Sequence, residues 1–488
     1  MQLLIVALLV AYIITLYFKR NPMNHSKEFM WKRFLSWFPL GMTYAFLYMA
    51  RYNLDTLGTA GVVSNGDKSF ISGWGFFVYA AALFVTGPFV DRIGGKKGMI
   101  LAAIGAAICN IALGWVLYLH LYGTSLNLVM LLTIFYSLNM FFQSFGAIST
   151  IKVKSFWFHV RERGTFGAIF GTLISLGVYF AFDWSDSIAR SVALEPGDKP
   201  SAAREFIQAA FGLQGSTVPA YWLVFFIPAG LLLIWALIDL VLIKDSPDEA
   251  GLSTFETHDA SHGLPAGFDS WWTVIRSVLS NRVLLMIGVI EFTSGILRDG
   301  VMKWYRPFAK ATDMGLPNLV ANWGLYAAVL GIVGSFLAGW SSDRFFQSRR
   351  APVAGIAQST MIVALILMTF SIMDGSDTSK LLMAIGVLVI MAAVIAVHSI
   401  MSGTATADFG GRKEAATATG IADGFSKLGS SFQEFVIGMI IVGPGSWIRW
   451  PLFILPFAFL GLFFAVRLWR AVPDATRKYL RDVEKMHI

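Results

Sequence analysis

Two arginines of this sequence lie inside apolar runs that would cross a membrane. Arg51 lies in "FLYMARYNL", about sixteen residues into a run that begins near Leu35, and Arg298 lies in "EFTSGILRDGV". An arginine at the centre of a membrane helix costs about 2.5–3.5 kcal/mol even on a lenient insertion scale, so such a residue indicates a function. The planar guanidinium suits bidentate binding of phosphate or carboxylate. The two residues therefore predict an anion-binding site, unless Arg51 snorkels from a helix end.

Other side chains that could do chemistry lie at helical spacing from these arginines. Tyr48 and Tyr44 precede Arg51 by three and seven residues, so they share its helix face and can donate hydroxyls. Two arginines at matched depth would repel one another across a central cavity, and an anion belongs between them. Glu291 precedes Arg298 by two helical turns. It is the best candidate for proton coupling, because it can pair with arginine or take a proton when substrate occupies the guanidinium.

Three further ionisable residues lie in predicted spans. Asp423 and Lys427 form an i,i+4 pair, which either contacts the substrate or neutralises itself. His398 is a second candidate for proton coupling, although a histidine can also be satisfied by a neighbouring helix. We expect no cofactor and no metal site, because the chain has one cysteine and its scattered histidines lack ligand spacing.

The composition indicates which elements must position these residues. Of 488 residues, 56% are hydrophobic and 14% are charged, against roughly 25% charged in soluble proteins. Twelve apolar runs of about 20 residues are long enough to span a bilayer. The fold class is therefore an all-α polytopic membrane protein. The spans are 35–57, 70–90, 98–120, 126–150, 164–184, 219–243, 282–305, 318–340, 352–373, 380–402, 416–443 and 449–471.

The spans divide into two groups of six. The predicted regions are an extra hydrophobic segment, an N-terminal bundle, a polar linker, a C-terminal bundle and a tail. The extra segment has its positive charges after the apolar stretch and no small-residue cleavage site, which counts against a cleavable signal peptide. It is either an N-out helix or an extension upstream of Met23, and we expect a real helix without a transport role. The regions are 1–22, 30–243, 244–275, 276–471 and 472–488.

Basic residues in short loops predict the orientation. They are concentrated after spans 2, 4, 8 and 10, which places the central loop and the C-terminus in the cytoplasm. The net charge of +8 is thus explained by the basic loops that set the membrane orientation, and we expect no nucleic-acid partner. The basic residues are Arg92, Lys96, Lys97, Lys152, Lys154, Arg161, Arg163, Arg344, Arg349, Arg350, Arg412 and Lys413.

An internal repeat relates the two groups. "GPFVDRIGGKK" and "GWSSDRFFQSRR" share Gly-x-x-x-Asp-Arg, with Asp91 and Asp343 252 residues apart, and the two membrane arginines are 247 residues apart. Two six-helix halves related by a parallel repeat form the architecture of the major facilitator superfamily, with substrate near the midplane. We assign Asp91, Arg92, Asp343 and Arg344 to gating of the cytoplasmic face. Plain positive-inside charge is the alternative.

Several motifs resemble one family within that superfamily. "YAFLYMARYNL" is similar to the first helix of the organophosphate:phosphate antiporter family, which includes glycerol-3-phosphate and hexose-6-phosphate transporters. "SLNMFFQSFG", "RERGTFGAIFG" and "GILRDGVMKW" resemble its hexose-phosphate branch. The resemblance covers nearly all of 30–470. It implies that Arg51 and Arg298 grip the phosphate, with Tyr44, Tyr48 and Gln143 lining the site.

The sequence departs from this family at two positions. Leu83 aligns with a lysine on helix 2, and Ile174 aligns with a histidine on helix 5 that phosphate exchangers usually carry. Losing both counts against exchange for inorganic phosphate. The altered site favours a related anion, such as a polycarboxylate or a siderophore, carried with a proton.

The leading hypothesis is a monomeric secondary transporter of a small organic anion that works by alternating access. Its substrate is a phosphate ester or a carboxylate-type anion, and its partners are that anion and the lipid bilayer. A membrane sensor that signals to a kinase is the alternative, because the resembled family contains one. An enzyme is not expected, since no nucleotide-binding glycine loop or nucleophile constellation occurs.

Overall fold

The computed structural model describes residues 2–19, 21–159, 162–192, 202–213, 218–253, 276, 279–346 and 349–471. Most of these residues are helical and none lies in a β-strand, so the all-α class is confirmed. Most of the predicted linker and the whole predicted tail lie outside the described residues. The helices are α1 (Gln2–Lys19), α2 (Lys27–Thr59), α3 (Asn65–Ile93), α4 (Gly95–Leu121), α5 (Leu128–Trp157), α6 (Arg163–Tyr179), α7 (Ser185–Val192), α8 (Ala202–Ala210), α9 (Leu223–Leu242), α10 (Arg282–Met302), α11 (Tyr305–Thr312), α12 (Pro317–Ala321), α13 (Trp323–Phe345), α14 (Arg350–Asp374), α15 (Asp377–Ile400), α16 (Thr406–Ile440) and α17 (Arg449–Arg467).

A helix lies at each of the twelve predicted spans. Eight described helices are long and apolar enough to cross a membrane by length and composition alone. Of the other four, α6 has only 17 residues because it passes into a π-helical turn, Phe180–Trp184. Helices α2, α10 and α16 carry most of the ionisable residues discussed above, and charge lowers their hydropathy. The spans that look least like membrane helices are therefore the ones that hold the candidate site.

Some helices extend several residues beyond the predicted spans. Helix α2 begins at Lys27, eight residues before the predicted start, because the Ser26 side chain accepts a hydrogen bond of 3.1 Å from the Phe29 N–H and caps the helix there. The start of an apolar run indicates where a helix enters the lipid, whereas an N-cap indicates where the helical backbone hydrogen bonds begin. The two points differ when a helix extends into water.

The two halves meet along two pairs of helices. Within the first half α4 packs against α5 and α9, and within the second α14 packs against α15 and α17. Between the halves α3 packs along α16, and α6 packs along α13. Glycine permits the first approach, because a Cβ on Gly87 would lie 3.0 Å from the Cα of Thr417.

Helix α1 is anchored to the first half by a buried polar cluster. The Tyr17 hydroxyl accepts from Arg33 Nε at 2.9 Å and donates to the Met30 carbonyl at 2.8 Å. Arg33 also donates to both carboxylate oxygens of Glu162 at 2.9 and 3.0 Å. Burial favours the neutral acid, but a hydrogen bond from His25 and the charge of Arg33 outweigh it and hold the pKa of Glu162 below its usual value.

The stretch assigned to α16 is not one straight helix, because the chain reverses direction between Thr406 and Thr419. The hydroxyls of Thr406 and Thr419 lie 2.9 Å apart. Thirteen residues of straight helix would separate them by about 20 Å. The predicted spans 380–402 and 416–443 are therefore separate passes, although a π-helical segment, Met401–Ala405, continues from α15 without an open loop.

Candidate anion-binding site

Arg51 is fully buried in the first half. Its Nε donates to Gln143 Oε1 of α5 at 2.8 Å, and its Nη2 donates to the Tyr79 hydroxyl of α3 at 3.2 Å. Its guanidinium carbon lies 4.7 Å from the ring centroid of Tyr48. Nη1 has no hydrogen-bond acceptor among the described residues. Snorkelling is excluded, because none of the side chain reaches the surface.

Neighbouring helices hold the arginine-bearing turn of α2 in place. Tyr136 donates to the Arg51 carbonyl at 2.9 Å, and Asn139 donates to the Ala50 carbonyl at 3.1 Å. One turn earlier the rings of Tyr44 and Tyr48 meet edge to face, with centroids 5.3 Å apart. Both tyrosines line the arginine-bearing face that their spacing predicts.

Arg298 is buried in α10 of the second half, but its surroundings differ from those of Arg51. Its Nε donates to Oδ1 of the adjacent Asp299 at 3.2 Å. The Tyr52 hydroxyl, from α2 of the first half, donates to the same oxygen at 3.3 Å. Nη1 and Nη2 have no acceptor among the described residues. Sequence reasoning missed Asp299, because residues one apart on a helix are not expected to face each other.

The two candidates for proton coupling are in contact. His398 Nδ1 of α15 lies 2.8 Å from Glu291 Oε2 of α10, and both side chains are buried. The charge of Glu291 also interacts with those of Arg298, Asp423 and Lys427. The carboxylate and the imidazole share one hydrogen bond, so a proton can be held between them beside the arginine.

The Asp423–Lys427 pair completes the buried cluster. Lys427 Nζ lies 3.9 Å from Asp423 Oδ1 and 5.3 Å from the ring centroid of Tyr79, the tyrosine that contacts Arg51. All nine residues predicted for substrate binding or proton coupling are thus buried, and contacts or charge interactions join them into one cluster. No group of three or more His, Cys, Asp and Glu among the described residues is placed to hold a metal ion.

At the predicted cytoplasmic end, α3 contacts the other half through Asp91. Its Oδ1 lies 2.7 Å from Lys152 Nζ, and its Oδ2 accepts from the Thr417 N–H and hydroxyl at 2.9 and 2.7 Å. This carboxylate therefore holds α16 against the first half. Arg92 and Arg344 are exposed. Asp343 lies in α13, and its side chain is outside the described part of the structure.

The opposite end is closed by a buried ionic network that the sequence did not predict. Lys303, at the end of α10, forms an ion pair with Glu434, donates to Ser72 Oγ at 3.1 Å and lies 3.7 Å from Asp55 Oδ1. Lys68 Nζ is 3.3 Å from the same Asp55 oxygen. The network joins α2 and α3 of one half to α10 and α16 of the other. Lys303 was overlooked because it lies at the edge of a predicted span.

A second contact closes the same end. Asp183, in the π-helical turn after α6, accepts from the backbone N–H groups of Gly324 and Leu325 at 2.8 Å each. Arg306 lies 2.9 Å from Asp186. Asp183 thus satisfies the N-terminus of α13, where a carboxylate is favourable. Contacts between the two halves are therefore present at both ends of the bundle.

A family model described as Major Facilitator Superfamily matches residues 206–434 of this chain. The hexose-6-phosphate:phosphate antiporter of Salmonella typhimurium is 26% identical over 442 residues, covering 86% of each chain. The glycerol-3-phosphate transporter of Bacillus subtilis is 23% identical over 386 residues, covering 74% of this chain and 75% of its own length. The membrane sensor protein UhpC of Escherichia coli is 24% identical, covering 84% of this chain and 86% of its own.

Solved structures show the same fold. A bacterial homolog of the human lysosomal transporter Spinster, inward-facing and unoccupied, superposes with a TM-score of 0.64 at 15% identity, covering 94% of this chain and 99% of its own. The transporter FucP, in the outward conformation, superposes with a TM-score of 0.58 at 14% identity, covering 88% and 98%. The prediction of the major facilitator fold is confirmed.

Proposed function

We propose that this chain is a secondary transporter of the major facilitator superfamily, rather than an enzyme, and that it moves a small organic anion across the bacterial inner membrane by alternating access. The observation that carries the proposal is the pair of buried guanidinium groups, one from each half, with terminal N–H groups that lack acceptors among the described residues. Buried charged donors are costly unless they are paired. The curated relatives support a phosphate ester or a related carboxylate-type anion as the substrate.

The substrate class can be tested with a thermal-shift screen of the purified protein against phosphate esters, carboxylates and siderophores. A ligand at 100 times its Kd stabilises by about 2.7 kcal/mol. We expect stabilisation by one class of organic anion, followed by saturable uptake of that anion into proteoliposomes. Stabilisation by neutral sugars or cations alone would contradict the proposal.

A membrane sensor is the second candidate, because one relative is the sensor protein UhpC. Both functions need the buried anion site, but only a transporter carries the bound anion across the membrane in repeated cycles. An anion that binds in the thermal-shift screen but is neither taken up nor exchanged by proteoliposomes would favour the sensor.

Asp91 is proposed to govern the conformational cycle rather than affinity. Asp91→Asn keeps the shape of the side chain but weakens its charge-assisted bonds to Lys152 and Thr417. We expect slower uptake with substrate affinity within a few-fold of wild type, and the same for Asp343→Asn. Initial uptake rates and equilibrium binding are measured in parallel. Asp67→Asn, near the other end of α3, is the matched control, because the Asp67 carboxylate accepts from Ser64 at the start of its own helix.

The assignment of Asp91 to gating is wrong if Asp91→Asn loses most of its affinity while its turnover stays normal. A loss of both uptake and binding in Asp67→Asn would show that the assay reports general damage to α3.

The proposed orientation places the central loop in the cytoplasm. A single cysteine at Ala260, in a Cys109→Ser background, should react with a membrane-impermeant thiol reagent in inverted vesicles and not in intact cells. Cys109 is buried, and its removal leaves one reporter. Labelling of this cysteine in intact cells would show that the central loop lies outside the cytoplasm and would contradict the proposed orientation.

A further inference from the structure

The buried charges of the site and of the ionic network near it are nearly all paired. Five cations and five carboxylates are buried in these two regions. Four pairs can be assigned from contacts. With His398 counted as neutral beside Glu291, the two charges without an opposite partner in contact among the described residues are Arg51 and Glu291. The pairs are Arg298 with Asp299 at 3.2 Å, Lys427 with Asp423 at 3.9 Å, Lys68 with Asp55 at 3.3 Å, and Lys303 with Glu434.

The two arginines are therefore not equivalent. The described acceptors of Arg51 are an amide oxygen of Gln143 and the hydroxyl of Tyr79, and neither carries a charge. Arg298 is compensated by Asp299, yet its Nη1 and Nη2 keep their hydrogen-bonding capacity. Arg298 can donate two hydrogen bonds to a ligand, while the uncompensated positive charge stays on Arg51.

We propose that Asp299 sets the charge of the substrate, so that the site accepts an anionic group with one negative charge and discriminates against a dianion. The inference rests on the proposed function, since it names the charge of the anion that this site binds. One negative charge compensates Arg51, and one proton on Glu291 compensates the remaining carboxylate. A second negative charge on the ligand would meet Asp299 beside Arg298 without a cation left to pair with it.

The test compares two isosteric probes, methyl phosphate and methyl sulfate, at pH 7.5. The phosphate ester is mainly a dianion at this pH, because its second ionisation lies near 6, and the sulfate ester is a monoanion. Dissociation constants come from concentration-dependent thermal shifts. We expect the wild type to bind the sulfate ester at least as tightly. In Asp299→Asn the preference should move toward the phosphate ester by about ten-fold or more, because removing one buried charge near the ligand changes the interaction by at least 1.4 kcal/mol.

Two further variants keep the inference testable if Asp299→Asn is unstable. Gln143→Glu places a carboxylate at the Arg51 Nε. It should weaken both probes at least ten-fold and the phosphate ester more than the sulfate ester, because the added charge repels the dianion more strongly. Asp239→Asn is the matched control, because Asp239 is a buried carboxylate that accepts from Thr43 at 2.7 Å, and the described residues that it contacts do not include either arginine. Its probe preference should equal that of the wild type.

The outcomes separate this inference from the proposed function. The role of Asp299 is overturned if Asp299→Asn leaves the probe preference unchanged, or if the wild type already prefers the dianion. Either result leaves the proposed anion binding unaffected. A wild-type protein that binds neither probe nor any anion of the screen overturns both.

Discussion

Arg51→Lys is expected to reduce the affinity for the substrate anion about ten- to hundred-fold, since a charge-assisted hydrogen bond contributes about 1.5–3 kcal/mol. Lysine keeps the charge but not the planar fork that reaches Gln143, Tyr79 and the ligand from three separate nitrogens. A single ammonium that bonds to Gln143 cannot hold the ligand in the same geometry. Affinity is measured by calorimetry with the anion that the thermal-shift screen identifies.

Arg298→Lys should lose affinity to a similar extent for a different reason. A lysine there can still pair with Asp299, but the two terminal N–H groups that lack acceptors are removed. The matched control is Arg33→Lys, in which the replaced arginine is also buried in α2 but bonds to Glu162 at 2.9 Å, away from the cluster. Its substrate affinity should be close to that of the wild type. Normal affinity in both Arg51→Lys and Arg298→Lys would place the site elsewhere.

Glu291→Gln is expected to abolish accumulation of substrate against a pH gradient while binding and exchange persist. Glutamine has the same shape and can still bond to His398, which lies 2.8 Å from the carboxylate, but it cannot take up a proton. With one proton per substrate, each pH unit drives about ten-fold accumulation, since 1.4 kcal/mol corresponds to a factor of ten. The variant should equilibrate its substrate, with a ratio near one.

The measurement uses proteoliposomes with an imposed pH gradient and, in parallel, counterflow of labelled substrate without a gradient. Glu434→Gln is the comparison variant, because Glu434 is an equally buried glutamate that pairs with Lys303 in the outer network. Glu434→Gln should change the rate of uptake but leave the ratio of internal to external substrate at the wild-type value. Accumulation at the wild-type level in Glu291→Gln would remove Glu291 from the coupling mechanism.

The sequence by itself determined the class of protein and most of the residues of the candidate site. Apolar runs must be helical in a bilayer, because only internal hydrogen bonds can satisfy the backbone there. The same energetics mark each charge within a run as functional, which identified Arg51, Arg298 and Glu291. Helical periodicity then placed Tyr44 and Tyr48 on the face of Arg51, because neighbours along one helix depend on the backbone alone.

Only the tertiary structure decided how the buried charges pair. Tyr52 and Asp299 are 247 residues apart and meet at 3.3 Å. Asp183 accepts from the N–H of Gly324, 141 residues later, in the first turn of α13. Such contacts depend on the rotation and position of each helix in the packed bundle, which single-helix periodicity does not contain. For the same reason the sequence treated Arg51 and Arg298 as equals. Packing brought the Asp299 carboxylate to the Nε of one arginine and left the other with uncharged partners.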